Sequence, residues 1–424
     1  MSTGTDVLAA TDWNRTFHAY GPGTDVPGHL ALLLSDDPAD RSRALDHLYS
    51  AVIHQGTVYS ATVPAARYVA GVLADPRLDA PVGAASLRAH LLGFLRDAAE
   101  GVAGHLCEPA PPAPDSAERD RVHAALASDD EDEALGIWED EVLHALMYHE
   151  AAVALRDAAP ELYAAVRPHL THHDGTTRIR AVEAAGALAL LGGPAPDLSG
   201  AADMAETREE GAVIVLVMGE TGGDTTEFLT HSDPAIRACA ALAPGQRGNP
   251  AALAELLAAA GGPEVPDAWF AQRPAYFSGS VRATLLREAA RRCGPGDAER
   301  MLPVFRALAP AAPALRAGAD LGPMLEAAFP AGAPARPGRV QREYLRVLAD
   351  SALPWTGAHA TGFAALLERL GLPGDRDAVR ALAAAGADDA RPGVPAGAPT
   401  GGGRAAREPA DREPADREPG FGAG

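Results

Sequence analysis

One short pattern recurs along the chain and constrains its fold more than any other feature. A leucine-containing segment ends, the chain turns at an aspartate that Pro or Gly follows, and a new segment carries an Arg-Ala pair. The pattern occupies residues 33–48, 170–185 and 228–242. Aspartate is a preferred helix N-cap, and proline fits the first helical position, so each turn predicts a helix start. The arginines of the three Arg-Ala pairs are Arg43, Arg180 and Arg237.

The same signals predict individual helices elsewhere. Between Asp37 and Gly56, apolar residues recur at helical spacing, and Gly56 is expected to end that helix in a left-handed conformation. Asn249 and Ser280 open two further predicted helices, which end near Gly261 and Gly294. Additional helices are predicted over 340–349, 362–370 and 375–385.

The apolar residues are mostly small, which favours helices over sheets. Hydrophobic residues make up 47% of the chain and aromatic residues only 5%, so Ala, Leu and Val must build the core. Such side chains suit closely packed helices and offer little to sandwiches and barrels. We therefore predict an all-α protein.

The stretch Asp233-Pro-Ala-Ile-Arg237-Ala-Cys-Ala-Ala-Leu242 resembles the HEAT-repeat family in its short bacterial form, which is related to the bilin-lyase HEAT-like repeats. The resemblance implies an α-solenoid of stacked antiparallel helix pairs, because one pair cannot bury its apolar face alone. It also implies that Asp233 and Arg237 stabilise the stack. Residues 76–160 and 262–280 depart from the pattern.

Two stretches rich in proline and glycine divide the chain. Residues 108–116 predict a Pro-rich linker or loop, between N-terminal capping and first repeats in 1–107 and a HEAT-like array in 117–386. Residues 387–424 repeat Glu-Pro-Ala-Asp-Arg and contain almost nothing to bury, so we predict a disordered tail.

Charge and cysteine content exclude several classes. With 36 basic and 57 acidic residues the net charge is −21, which argues against a nucleic-acid binder. Three widely spaced cysteines argue against a disulfide framework and a cysteine zinc site. The chain shows neither a signal peptide nor a membrane-length apolar run, so we expect a cytoplasmic protein.

Several local patterns could carry chemistry, and each has a simpler explanation. Val213–Val217 before a glycine loop lacks a phosphate-binding motif and is expected to be helical. A histidine group recurs in two repeats, which favours a role at helix ends over a metal site. A lone Glu141-x-x-His144 lacks the second copy that a di-iron bundle needs. Arginines between 282 and 306 alternate with acids. The histidines are His169, His172, His173 and His231.

We expect no catalytic, cofactor or metal residues, and the leading function is a non-catalytic scaffold that presents a concave, acidic surface to a basic protein partner. Alternatives are a lyase or isomerase on the same scaffold, or a neutraliser of a basic toxin or nucleic-acid enzyme. The segment 54–60 predicts either an end cap or a ligand site. The candidate partner-binding residues are Trp138, Glu139, Asp140 and Glu141 in an acidic stretch, and His54, Gln55 and Tyr59.

Overall fold

The structure, a computed structural model, describes residues 4–102, 106, 115–128, 130, 141–262, 265–294, 297–330, 332 and 334–385, with the backbone alone over 141–147. These residues form eighteen α-helices and three two-stranded hairpins. The helices are α1 (Asp6–Ala10), α2 (Val26–Leu32), α3 (Pro38–His47), α4 (Thr62–Val72), α5 (Leu87–Val102), α6 (Ser116–Leu126), α7 (Glu141–Val166), α8 (Gly175–Leu190), α9 (Ser199–Asp203), α10 (Arg208–Glu220), α11 (Pro234–Leu242), α12 (Pro250–Gly261), α13 (Val281–Arg292), α14 (Ala298–Leu308), α15 (Ala314–Ala328), α16 (Arg339–Asp350), α17 (Ala360–Arg369) and α18 (Arg376–Ala384). The strands are β1 (Phe17–His18), β2 (Gly21–Pro22), β3 (Ile53–His54), β4 (Thr57–Val58), β5 (Pro81–Val82) and β6 (Ala85–Ser86).

Helix packs on helix throughout the described residues, which confirms the all-α prediction. Helices α5, α8, α10, α11, α12 and α13 form a succession in which each packs on the next. Towards the C-terminus, α13 packs on α15 and α15 on α17, while α14, α16 and α18 form a parallel succession. Most contacts therefore join helices that are close neighbours along the chain.

Helix α10 separates two hydrophobic cores. Val213, Ile214 and Val217 belong to the core that contains α2 to α5, α7 and α8, whereas Val215 and Leu216 belong to the core of α11 to α18. The valine-rich stretch is a helix, as predicted, and it is hydrophobic all round because it is covered on both sides.

The predicted helix starts are confirmed by their caps. The Asp233 carboxylate accepts the amide N–H of Ala235 at 2.9 Å, and the Ser280 hydroxyl accepts that of Ala283 at 3.2 Å. Asp37, Asp174, Asn249 and Asp375 cap α3, α8, α12 and α18 in the same way.

In each of three of these turns, the arginine four residues after the N-cap stabilises the turn. Its guanidinium donates to two backbone carbonyls that precede the helix. Arg41 donates to Ser35 and Asp36, Arg178 to His172 and His173, and Arg237 to His231 and Ser232. The sequence pattern matches Arg43 and Arg180 to Arg237, and this match is wrong. In the structure the residues equivalent to Arg237 are Arg41 and Arg178, two positions earlier, because they make the same hydrogen bonds. We call this arrangement the arginine clamp.

The segment predicted as one helix from Asp37 to Gly56 is shorter than expected. Helix α3 continues through a wider π-helical turn to Val52, and β3 and β4 then form a hairpin. Gln55 and Gly56, with φ of 52° and 80°, make its two-residue turn. Gly56 is left-handed as predicted, but it closes a hairpin, and the Thr62 hydroxyl donates to the Val52 carbonyl at 2.7 Å.

Candidate functional site

A cleft opens between α5, α8 and α10, under the connection that precedes α13. The space in the cleft amounts to about 450 Å³ only when the open solvent at its mouth is included. Leu190, Val213 and Val217 supply aliphatic walls, and Ala275 and Tyr276 cover one side. Leu190 keeps 59% of its surface exposed, which is unusual for a leucine beside a core. The cleft is therefore an accessible apolar surface within an acidic protein.

Glu183 fixes the covering segment in place. Its side chain is 5% exposed, and its carboxylate pairs with Arg180 at 2.7 Å and with Arg96 at 3.4 Å. The other carboxylate oxygen accepts the amide N–H of Ala275 at 2.8 Å. Because two guanidiniums and one amide satisfy this buried carboxylate, Glu183 has a positioning role.

Two further glutamates flank the mouth of the cleft. Among the described residues, Glu100 makes one long ion-pair contact, with the Arg96 guanidinium at 3.7 Å, and its side chain is 55% exposed. Glu220 has no hydrogen bond or ion pair to another described residue. Partial burial raises the pKa of Glu100, and burial together with the charge of Glu100 raises the pKa of Glu220. A cation entering the cleft would relieve both effects, because it stabilises the charged carboxylates.

Tyr276 borders this acidic mouth. Burial and the neighbouring charges of Glu220 and Glu288 raise the pKa of the Tyr276 phenol to about 12, so it stays a neutral hydroxyl. Its ring meets Phe277 edge-to-face, with centroids 5.2 Å apart. The cleft thus combines aliphatic walls, an aromatic ring and two carboxylates.

Comparison with known protein families, curated proteins and solved structures finds no match to this chain.

The residues predicted for partner binding near the N-terminus do not share one surface. Tyr59 is 4% exposed and packs edge-to-face on Phe17, with centroids 6.2 Å apart. The His54 ring faces outward, 3.4 Å from the Tyr20 hydroxyl. Gln55 lies in the hairpin turn between them.

The predicted acidic stretch lies almost wholly outside the described residues. Trp138, Glu139 and Asp140 lie outside the described residues, and Glu141 begins α7 without a described side chain. Most of the predicted linker and the whole predicted tail, 387–424, also lie outside them.

The recurring histidines shape the turns before helices. The Nδ1 atom of His172 accepts the amide N–H of Asp174 at 3.1 Å, and His231 does the same for Asp233 at 3.0 Å. The sequence suggests that these rings meet carbonyls at a helix end. The structure corrects this, because the arginine clamp takes the carbonyls while the rings accept amides.

Several arginines between 282 and 306 form ion pairs or hydrogen bonds within the protein. Arg292 has a side chain 2% exposed and donates to the Leu242 carbonyl at 3.0 Å. Arg291 pairs with Glu288, and Arg306 pairs with Glu343.

No described helix is long and apolar enough to cross a bilayer.

A second cluster of polar side chains is not predicted by the sequence. His18 Nε2 lies 3.0 Å from one Asp25 oxygen, and His47 Nε2 lies 3.9 Å from the other. The spacing of 18, 25 and 47 matches no motif, since a hairpin and two helices bring the three together. Burial and the neighbouring ring of His29 lower the pKa of His47 to about 4, so this ring is neutral near pH 7.

Proposed function

We propose that the protein is a non-catalytic binding scaffold whose cleft receives a lysine or arginine side chain of a protein partner. The observation that carries this proposal is the pair Glu100 and Glu220 at the mouth of an aliphatic cleft, where Glu220 lacks a partner among the described residues. A basic side chain has an aliphatic stem for the walls and a charged head for the carboxylates.

The rim of the cleft adds apolar contact to this charge attraction. Leu190 lies beside the cleft with 59% of its surface exposed. A partner that places an apolar residue next to its basic one would cover Leu190 and exclude water from the carboxylates. Ion pairs gain strength when they are shielded in this way.

We also propose that the helices form a HEAT-like α-solenoid in a cytoplasmic protein. Three turns share the arginine clamp, and the helices pack mainly on neighbours along the chain, as in stacked repeats. Such arrays offer an extended surface on one side, which suits recognition of another protein.

The test uses affinity capture from native cells with three forms of the chain. The first is unchanged, the second carries Glu100→Gln and Glu220→Gln, and the third carries Asp203→Asn and Glu227→Gln, which remove two exposed acids elsewhere. We expect a partner, identified by mass spectrometry, that the second form loses and the third keeps. Equal capture by all three forms, or an acidic partner, would contradict the proposal.

Salt dependence gives an independent measurement with the purified partner. The net charge of −21 attracts a basic protein over distances that salt screens, since the Debye length is about 8 Å at physiological ionic strength. We expect the association rate to fall more than the dissociation rate rises between about 50 and 500 mM salt. An association rate that is indifferent to salt would mean that charge does not guide recognition.

A further inference from the structure

Three elements meet in the N-terminal part of the chain, beside the core that contains α2 and α3. Strand β1 supplies His18, the turn Gly23–Asp25 supplies Asp25, and the end of α3 supplies His47. One ligand atom from each lies within 4.8 Å of the other two. His18 is 5% exposed, and the side chains of His47 and Asp25 are 11% and 49% exposed. The cluster is therefore shielded on the histidine side and open on the carboxylate side.

The ring of His47 is held firmly but leaves a nitrogen unused. It stacks on His29, with centroids 3.9 Å apart and planes 8° from parallel. The ring of His18 meets it edge-to-face at 5.5 Å. His47 Nε2 is buried without a hydrogen-bond partner among the described residues. Buried polar atoms of this kind are rare, and an ion is one reason for them.

We propose that His18 Nε2, His47 Nε2 and an Asp25 oxygen bind a divalent transition-metal ion, with Zn²⁺ as the best fit. Two imidazoles and one carboxylate form a donor set that Zn²⁺ and Fe²⁺ share, whereas Mg²⁺ and Ca²⁺ prefer oxygen alone. The exposed side of Asp25 leaves a fourth position for water.

The observed distances suit such an ion after small shifts. Bonds of 2.0–2.1 Å in tetrahedral geometry place neighbouring ligand atoms about 3.3 Å apart. His18 Nε2 lies 3.0 Å from one Asp25 oxygen and His47 Nε2 lies 3.9 Å from the other. One ligand atom from each residue lies within 4.8 Å of the other two, so shifts of about 1.5 Å or less bring both nitrogens and one oxygen to that separation.

Metal binding requires one change at His18. Its Nδ1 accepts the amide N–H of Tyr20 at 3.1 Å, so in the metal-free protein the ring proton is on Nε2 and points to Asp25. A metal at Nε2 moves this proton to Nδ1 and breaks the Tyr20 hydrogen bond. Tyr20 is 67% exposed, so its amide can turn to water. The ion would thus reorganise the turn between β1 and β2, independently of the cleft.

The test is zinc titration of the chelator-treated full chain by calorimetry, with Asp25→Asn as the main variant. Asparagine keeps an oxygen for the His18 N–H but is a poorer metal ligand, so the metal-free fold should persist. We expect one zinc site in the unchanged chain and affinity at least about tenfold weaker in Asp25→Asn, the smallest loss typical of a disturbed metal site. His47→Gln should weaken binding at least as much.

Two controls separate this site from others. His173→Gln with His359→Gln removes two exposed histidines elsewhere and should leave the affinity unchanged. Co²⁺ should give visible bands without the near-ultraviolet absorption of a cobalt–thiolate bond, and the NMR signal of the Tyr20 amide should shift on zinc addition. Equal zinc affinity in the unchanged chain, Asp25→Asn and His47→Gln, or a static Tyr20 amide, would overturn the proposal.

Discussion

At the scale of single residues, Arg178 and Glu210 form a buried ion pair between α8 and α10. The Arg178 Nε atom lies 2.8 Å from Glu210 Oε1, and the two side chains are 7% and 4% exposed. Glu210 also accepts the amide N–H groups of Glu206 and Thr207. These bonds lower the pKa of the Glu210 carboxyl against the opposing effect of burial.

Removing this charge should be costly. We expect Glu210→Gln to lower the free energy of unfolding by about 3–5 kcal/mol, because Arg178 is left charged and buried. The exposed pair Arg15 and Asp120, at 54% and 64% exposure, is the matched control. Asp120→Asn should cost less than about 1 kcal/mol. Denaturant titration measures both, and equal losses would refute the argument.

His169 should make stability depend on pH. Burial, with smaller effects of Arg88 and His172, lowers the pKa of His169 from 6.5 to about 4. Below pH 6.5 the unfolded chain takes up a proton that the folded chain refuses, so stability falls as the pH drops from about 6.5 to about 4. His169→Gln should remove this part of the fall, which is at most about 3 kcal/mol. Parallel stability–pH curves for the two chains would show that His169 is not responsible.

At the scale of elements, helix starts could be predicted because a cap acts on amides two or three residues away. Asp37, Asp174 and Asp233 can therefore be recognised as N-caps from the sequence. The β3–β4 hairpin was missed because a glycine with positive φ ends helices and closes hairpins equally well. The choice depends on the buried contact of Thr62 with Val52, which lies outside the local pattern.

Helix α11 allows cap and core to be compared in one element. Asp233→Ala should cost about 1–2 kcal/mol, since it removes the cap and the contact with Arg208 at 2.7 Å. Ile236, 5% exposed, should cost about 2–5 kcal/mol when changed to Ala, because a cavity forms beside α10. Thermal or chemical unfolding ranks the two variants, and the reverse order would mean that α11 packs differently.

At the scale of the whole molecule, α10 couples two cores without merging them. Leu216→Ala should open the core of α11 to α18 first, because Leu216 packs in that core and each helix of the succession contacts mainly its neighbours. We expect amide hydrogen exchange to accelerate in α10 to α12 while α2 to α4 stay protected. Uniform acceleration across all helices would indicate a single cooperative unit.

The cleft also belongs to this scale, which explains why sequence analysis did not find it. Its glutamates, Glu100 and Glu220, lie 120 positions apart, and the covering Tyr276 comes later still. Local spacing carries no information about such convergence. The excess of acidic residues can be counted in the sequence. The meeting of two carboxylates beside an apolar surface depends on how α5, α8 and α10 pack, and the sequence pattern does not show it.

The arginine clamp has a consequence for protein chemistry. In Arg178 and Arg237, Nη1 donates to two carbonyls while Nε donates to a glutamate, Glu210 or Glu255. The compact ammonium of lysine lacks this rigid fork. The chain contains no lysine at all, since its 36 lysine-or-arginine positions are all arginine. Reagents that acylate lysine therefore find no side chain to modify here. In a mixture with a lysine-containing partner, side-chain acylation would mark the partner alone, and shielding of one of its lysines would reveal where the two proteins meet.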